Sequence, residues 1–282
     1  MTKYKSYDIL NESFIDEVKN LVREEFFNHY YLINIIAEVF ERRAQFDEAY
    51  IVQDSLDSWI IGFSAFGNYL LYGKNWTESQ VKISIKNIEE SNIENGFHLA
   101  GTFDLLQEIK SKVSIENKVF KERIFYSCKE LVQHNGNIDV NIGYGKMGYH
   151  QEITKMVCDY FEYEYKGTNN KEFSEILPQT YNQILNRTIW QITDSNEIIG
   201  FCSIIETTVG LPIVGSFFIK ESHRKRGYGS ELLNKGTQNL LKENSEVWLM
   251  SDMNDIGSNK IFVKLGYKPV YQTGDYIIHQ KK

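Results

Sequence analysis

One stretch, Ile213 to Leu241, restricts what this chain can become more than any other. It opens with Ile213-Val214-Gly215-Ser216-Phe217-Phe218-Ile219, an apolar run with the β-branched and aromatic residues of a buried strand. A polar turn follows, Lys220-Glu221-Ser222-His223, and then the basic, glycine-bearing Arg224-Lys225-Arg226-Gly227-Tyr228-Gly229. Ser230 to Leu241 reads as a helix, with Leu232, Leu233, Leu240 and Leu241 on one side and small Gly236 between the pairs. A strand, a basic loop and a helix N-terminus in that order make an anion site. First-turn N–H groups lack intrahelical partners and sit at the positive end of the helix dipole. Gly227 and Gly229 let the backbone approach a ligand, while Arg224, Lys225 and Arg226 add charge. A phosphate or pyrophosphate is the natural occupant.

The spacing narrows the choice. Gly-x-x-x-x-Gly-Lys-Ser/Thr, the NTPase loop, does not occur. Arg224-x-x-Gly227-x-Gly229 resembles the Gln/Arg-x-x-Gly-x-Gly/Ala loop of the GNAT superfamily of acetyl-coenzyme A-dependent N-acetyltransferases. A further strand at Val247-Trp248-Leu249-Met250 and the run Asn259-Lys260-Ile261-Phe262-Val263-Lys264-Leu265-Gly266-Tyr267 extend the match, the latter resembling the family's closing helix. The resemblance covers roughly residues 138–282. It implies an α/β (α+β) fold of the GNAT type, a mixed and mostly antiparallel sheet flanked by helices.

What the resemblance implies for function is acetyl transfer from acetyl-CoA to an amine. Backbone groups around Phe217, Phe218 and Ile219 would contact the pantetheine arm and the acetyl carbonyl. The loop from Arg224 through Lys225, Arg226, Gly227, Tyr228 and Gly229 to Ser230 would hold the pyrophosphate, and Asn259 would offer a pantetheine contact. The family commonly carries an acidic residue on or near the strand before the loop; residues 213–219 contain none, and Glu206 is the nearest candidate base. Where the family usually has a proton-donating tyrosine on the last helix, this chain has Phe262. Coenzyme binding is therefore better supported than proton transfer. The alternative to an N-acetyltransferase is a CoA-binding protein whose catalysis has decayed. The acceptor, a small-molecule or peptide amine, is not named by the sequence, and a homodimer is compatible with the resemblance.

The first half repeats the order of elements. Apolar spacing predicts helices over 14–27 and Tyr31–Arg43, strands at 49–53 and 59–63, and a helix opened by the capping box Thr77-x-x-Gln80. A strand at 97–102, a helix capped by Asp104 and a strand at 119–128 follow. With a constant offset, Ile51 falls on Ile189, Gln53 on Gln191, and Ile60-Ile61-Gly62-Phe63 on Ile198-Ile199-Gly200-Phe201. These identities suggest an internal duplication. The first copy has no Arg-x-x-Gly-x-Gly: Asn68 to Trp76 stands in its place. Residues 1–135 are thus expected to form a degenerate GNAT-like domain and 138–282 the active one, with the turn cluster His134-Asn135-Gly136-Asn137 as the boundary.

Composition excludes several classes. The chain has net charge −7, and no further basic tract extends the 224–226 cluster, so the footprint for nucleic acid is missing. Cys128, Cys158 and Cys202 form neither an even disulfide framework nor a zinc spacing, and no metal is expected. Neither a signal-type apolar region at the N-terminus nor a membrane-length apolar run is present, so a cytoplasmic protein with no membrane partner is expected. Gly143-x-Gly145-x-x-Gly148 imitates a dinucleotide fingerprint, but Ile138 to Ile142 alternates with polar residues, unlike a central parallel strand.

Overall fold

The structure, a computed structural model, describes residues 2–8, 12–23, 25–42, 44–91, 96–113, 116–132, 138–207 and 210–279. The turn cluster 134–137 lies outside the described residues. By packing, the chain divides into two compact units: Met1–Ile124 with Asp252–Asn254 and Tyr271–Lys282, and Phe125–Ser251 with Asp255–Val270. A fragment beginning at residue 138 would therefore lack part of the second unit's own strand material.

The first unit runs β1 (Lys3–Ser6), α1 (Glu12–Val22), α2 (Tyr30–Arg42), β2 (Glu48–Ser55), β3 (Ser58–Ala65), β4 (Asn68–Lys74), α3 (Glu78–Glu90), β5 (His98–Thr102), α4 (Phe103–Lys112) and β6 (Glu116–Cys128). The second repeats this order with β7 (Asn141–Tyr144), α5 (His150–Tyr165), α6 (Phe173–Leu185), β8 (Ile189–Asp194), β9 (Glu197–Glu206), β10 (Pro212–Ile219), α7 (Tyr228–Leu240), β11 (Val247–Asp252), α8 (Ile256–Leu265) and β12 (Lys268–His279). β6 and β12 each begin in one unit and end in the other. In both units the first four strands pair antiparallel and the fourth pairs parallel with the fifth. The duplication expected from the sequence thus holds for the order of elements. It does not hold in the register of the hairpins: Ile51 stands opposite Ile61, whereas Ile189 stands opposite Ser203.

Each element has a local cause. α1 buries Phe14, Val18, Leu21 and Val22 along one face, and α2 buries Leu32, Ile36 and Val39. They cover one face of the first sheet, where Trp59, Ile61, Phe63 and Tyr72 complete the core. α3 and α4 cover the opposite face through Val81, Ile88, Leu105, Leu106 and Ile109. In the second unit Ile153, Met156 and Val157 of α5 pack with Ile189, Ile198, Phe201 and Phe218.

The structure amends several expectations. The first helix stops at Val22, and Phe26 belongs to a separate 3-10 turn. Asp104 lies inside the first turn of α4, whose N-cap is Thr102 and carries no side-chain cap. β7 starts at Asn141 rather than Ile138 and pairs antiparallel with β8, a context no dinucleotide fold provides. β4 and β12 are strands that the sequence pattern does not indicate; β4's run Tyr69–Tyr72 lacks alternation because both its faces are buried.

The end of the chain is tied to β5. Residues 273–277 of β12 pair antiparallel with 98–102, and His98 Nδ1 lies 2.7 Å from Asp275 Oδ1. That hydrogen bond to the Asp275 carboxylate raises the His98 pKa above its usual value near 6.5, against the opposing effect of partial burial. A raised histidine pKa stabilises the fold fully below the unfolded value and loses that contribution as pH climbs through the folded value. His98→Leu is therefore expected to lower the melting temperature more at about pH 6 than at about pH 9. Thermal melts of both proteins across that range test it; an equal deficit at both ends would contradict it.

Candidate functional site

β10 is the centre of the site. It pairs in parallel with β11 only at Ile213↔Trp248 and Val214↔Leu249, and the ladder goes no further among the described residues. Its antiparallel register with β9 shifts between Val214 and Phe217, a β-bulge. Ser203 Oγ secures the irregularity by accepting the Ser216 N–H at 2.8 Å. Beyond the bulge, the Lys220 N–H donates to the Ile199 carbonyl at 2.9 Å, so the backbone of residues 218 and 220 faces β9. The alternation of an antiparallel ladder then turns the backbone groups of Phe217 and the N–H of Ile219 toward the β11 side, where no strand pairs with them among the described residues, while the Ile219 carbonyl is held by Arg224. Such groups seek an external partner.

The loop after β10 is shaped by two left-handed residues. Lys225 has φ +61° and Gly227, the N-cap of α7, has φ +88°; a Cβ on Gly227 would come within 2.8 Å of Ile138 Cδ1. Glycine is the residue that takes this conformation and this approach without strain. Left-handed residues in a turn can direct neighbouring N–H groups toward one anion. No side chain caps α7, so the first-turn N–H groups of Tyr228, Gly229 and Ser230 keep no intrahelical acceptor. Lys225 and Arg226 are exposed at its mouth.

Arg224 has a different place from its two basic neighbours. Its Nε–H donates to the Ile219 carbonyl at 2.9 Å, and its guanidinium lies 4.4 Å from the Tyr163 ring and 5.1 Å from that of Phe218. It joins the end of β10 to α5 and fixes where the loop departs. Phe218 and Ile219 are buried, so they enter the site through backbone rather than side chain. Tyr228 is buried as well, and its hydroxyl donates to Asp194 at 2.9 Å.

The far wall is α8. Asp255 caps it by accepting from the Ser258 N–H at 3.0 Å, and Asn259 and Phe262 lie one turn apart on the same side. The Phe262 ring sits 6.5 Å from that of Phe217, whose edge meets Gly229. Phe262 is 5% exposed, packed also against Tyr126 and Tyr267; it does not line a wet cleft. Glu206 lies elsewhere: it is exposed, opposite Pro212, five residues before Phe217, or roughly 16 Å of strand. Tyr126, at the end of β6, packs against Phe262 and donates its hydroxyl to Asn259 Oδ1 at 3.3 Å. The sequence places its strand in the first half, whereas the end of β6 belongs to the second unit.

The corresponding place in the first unit is closed. β4 keeps one register with β3 throughout, without a bulge, and pairs with β5 at four successive positions. Gly101 passes so near the Leu71 carbonyl that a Cβ would collide with it. The Gly73 N–H donates to Thr102 Oγ1 at 3.1 Å, filling the point where the strands would part. The N-terminus of α3 is closed by its own sequence: Thr77 accepts from the Gln80 N–H and Gln80 Oε1 from the Thr77 N–H, the capping box expected there.

Among the described residues no helix is long and apolar enough to cross a membrane, and no group of three or more His, Cys, Asp or Glu is placed to hold a metal ion.

Residues 151–267 match the acetyltransferase (GNAT) family. A GCN5-related N-acetyltransferase from Sphaerobacter thermophilus superposes with a TM-score of 0.59 at 11% identity, over 98% of this chain and 94% of its own. A GNAT-family acetyltransferase from Colwellia psychrerythraea gives 0.58 at 11% identity, over 98% and 100%. A Drosophila protein gives 0.56 at 12% identity, over 98% of each chain. No curated protein matches the sequence.

Arg224 yields the test of this geometry. Arg224→Ala is expected to cost about 2 kcal/mol, from the lost charged hydrogen bond and ring contacts. Arg224→Lys should recover less than half, since an ammonium cannot both reach the carbonyl and stack. Denaturant unfolding measures both; full rescue by lysine would contradict it.

Proposed function

Because residues 151–267 carry a GNAT-family domain and the whole chain has the GNAT fold, we propose that the protein is an N-acyltransferase that takes its acyl group from acetyl-CoA and delivers it to an amine. The observation that carries this reading is the conjunction of an uncapped helix N-terminus, the left-handed Gly227 and the parted strands β10 and β11. The loop fits a pyrophosphate: side-chain-free backbone at Gly227 and Gly229, free first-turn N–H groups, and cationic Lys225 and Arg226 at the mouth. The groove beside Phe217 and Ile219 fits an extended amide-bearing arm, which adds to a strand by backbone hydrogen bonds. Bound there, acetyl-CoA supplies an activated acyl group as a thioester.

The chain's own residues then orient and polarise. The backbone N–H groups of β10 facing β11 act as donors where charge develops on the acyl oxygen. Phe217 and Phe262 keep water from the reacting centre. The amine must be neutral to attack, and β10 carries no carboxylate to take its proton. The acceptor is a small-molecule or peptide amine. We assign coenzyme binding to the second unit alone, since the first has a capped helix and closed strands.

A second reading has specific support: a CoA-binding protein without turnover, favoured by the acid-free strand and by Phe262. Thiol release from acetyl-CoA across a broad amine panel separates the two. Turnover above the protein-free rate establishes the enzyme; none, with clear acetyl-CoA binding, establishes the binder. For the site itself, Gly229→Glu puts an anion at the first turn of α7. The repulsion should be worth a few kcal/mol, about a hundredfold or more in affinity. Calorimetry measures it, and unchanged affinity would mean that the anion site lies elsewhere.

A further inference from the structure

We propose that His29 is an acid-operated latch of the first unit, a buried ring whose uptake of one proton frees the turn between α1 and α2 from the sheet. This role does not rest on the coenzyme reading above. His29 closes the 3-10 turn Phe26–His29 and is 1% exposed. Its ring sits 5.3 Å from that of Trp59 on β3, 5.6 Å from Tyr72 on β4 and 5.8 Å from Tyr271 on β12. One side chain thus pins the α1–α2 corner to three strands. Neither of its ring nitrogens has a hydrogen-bond partner among the described residues, and the Trp59 indole N–H beside it has none either. The neutral ring already leaves one N–H unpaired. Protonation would bury a second N–H and a full charge where no acceptor waits.

The groups that face the ring leave that charge unmatched. From the residue before the turn comes Glu25, whose Oε2 lies 3.9 Å from Nε2, and from the end of β4 comes Lys74, whose ammonium holds Glu25 Oε1 at 2.5 Å. The one nearby carboxylate is therefore already paired, and Lys74 repels a second cation. Tyr72 from β4 and Tyr271 from β12 are phenols that burial keeps protonated far above neutral pH, and Trp59 from β3 does not titrate. Burial pushes the His29 pKa down from 6.5 to about 4, Glu25 opposing the shift and Lys74 adding to it. A depressed histidine pKa gives stability that is fully present above the unfolded value and is lost as pH falls from 6.5 toward 4. Glu25 and Lys74 are both partly exposed, so lifting the corner delivers the ring to water, where it takes its proton.

Hydrogen exchange of the full-length protein, read over peptides of α1, α2, β3 and β4, gives the opening constant once intrinsic amide rates are divided out. His29 alone should make these segments open about twentyfold more readily at about pH 5 than at about pH 7. His29→Phe keeps a ring against Trp59 and takes up no proton, so that part of the rise should vanish. The difference between the two proteins cancels His98 and the carboxylates, which both retain. Lys74→Met leaves Glu25 free to meet an imidazolium, so its acid response should be smaller than the parent's. In the parent, the His29 ring signal followed by NMR should stay that of the neutral form at about pH 5.5. Equal acid response in the parent and His29→Phe overturns the proposal. So does a ring that titrates near its ordinary ~6.5 while α1 and α2 stay protected, a result that needs no variant to fold.

Discussion

The parallel ladder between β10 and β11 ends after two residue pairs, and the chemistry proposed for this chain depends on that ending. A sheet interior normally satisfies every backbone donor and acceptor. Here the bulge after Val214, held by Ser203, lets β10 turn away and leaves the backbone of Phe217 and the N–H of Ile219 facing a gap. Arg224 keeps the strand's end in place by hydrogen-bonding the Ile219 carbonyl and stacking on Tyr163 and Phe218. The loop then enters α7 through a left-handed glycine with the helix N-terminus uncapped. The bulge and the uncapped helix each withhold a local partner, which in the proposed reading the coenzyme supplies.

The first unit uses the same order of elements and closes the corresponding strands and helix end itself. Its fourth and fifth strands stay paired, Thr102 occupies the branching point, and Thr77 with Gln80 closes the helix. A capping box is worth about 1 kcal/mol to a protein, and removing it is the ordinary cost of opening an anion site. The two halves therefore differ less in fold than in where unsatisfied backbone is tolerated. The two units share one order of elements and differ in strand pairing and helix capping.

Much of this was legible in the sequence, and the exceptions have physical causes. The strand, loop and helix from 213 to 240 and the Thr77–Gln80 box follow from periodicity and turn residues, which act over short spans. The hairpin identities pointed to a repeated order of elements, which the two units share, yet the registers differ, with Ile51 opposite Ile61 and Ile189 opposite Ser203. Arg224 carries a ligand-binding motif by type, but only the fold shows its guanidinium spent on Ile219, Tyr163 and Phe218. The place of Tyr126 was beyond sequence reasoning altogether. Nothing local announces that a strand read as the close of one half ends in the other unit, since long-range pairing leaves no periodic trace.

The central claim is that one unit is open and the other closed to the same ligand. Isothermal titration of acetyl-CoA into the full-length chain counts the sites directly. The account predicts one saturable site per chain, with no second heat of comparable affinity. Two sites of similar affinity would contradict it, because the capped helix and closed strands of the first unit would then have failed to exclude the coenzyme.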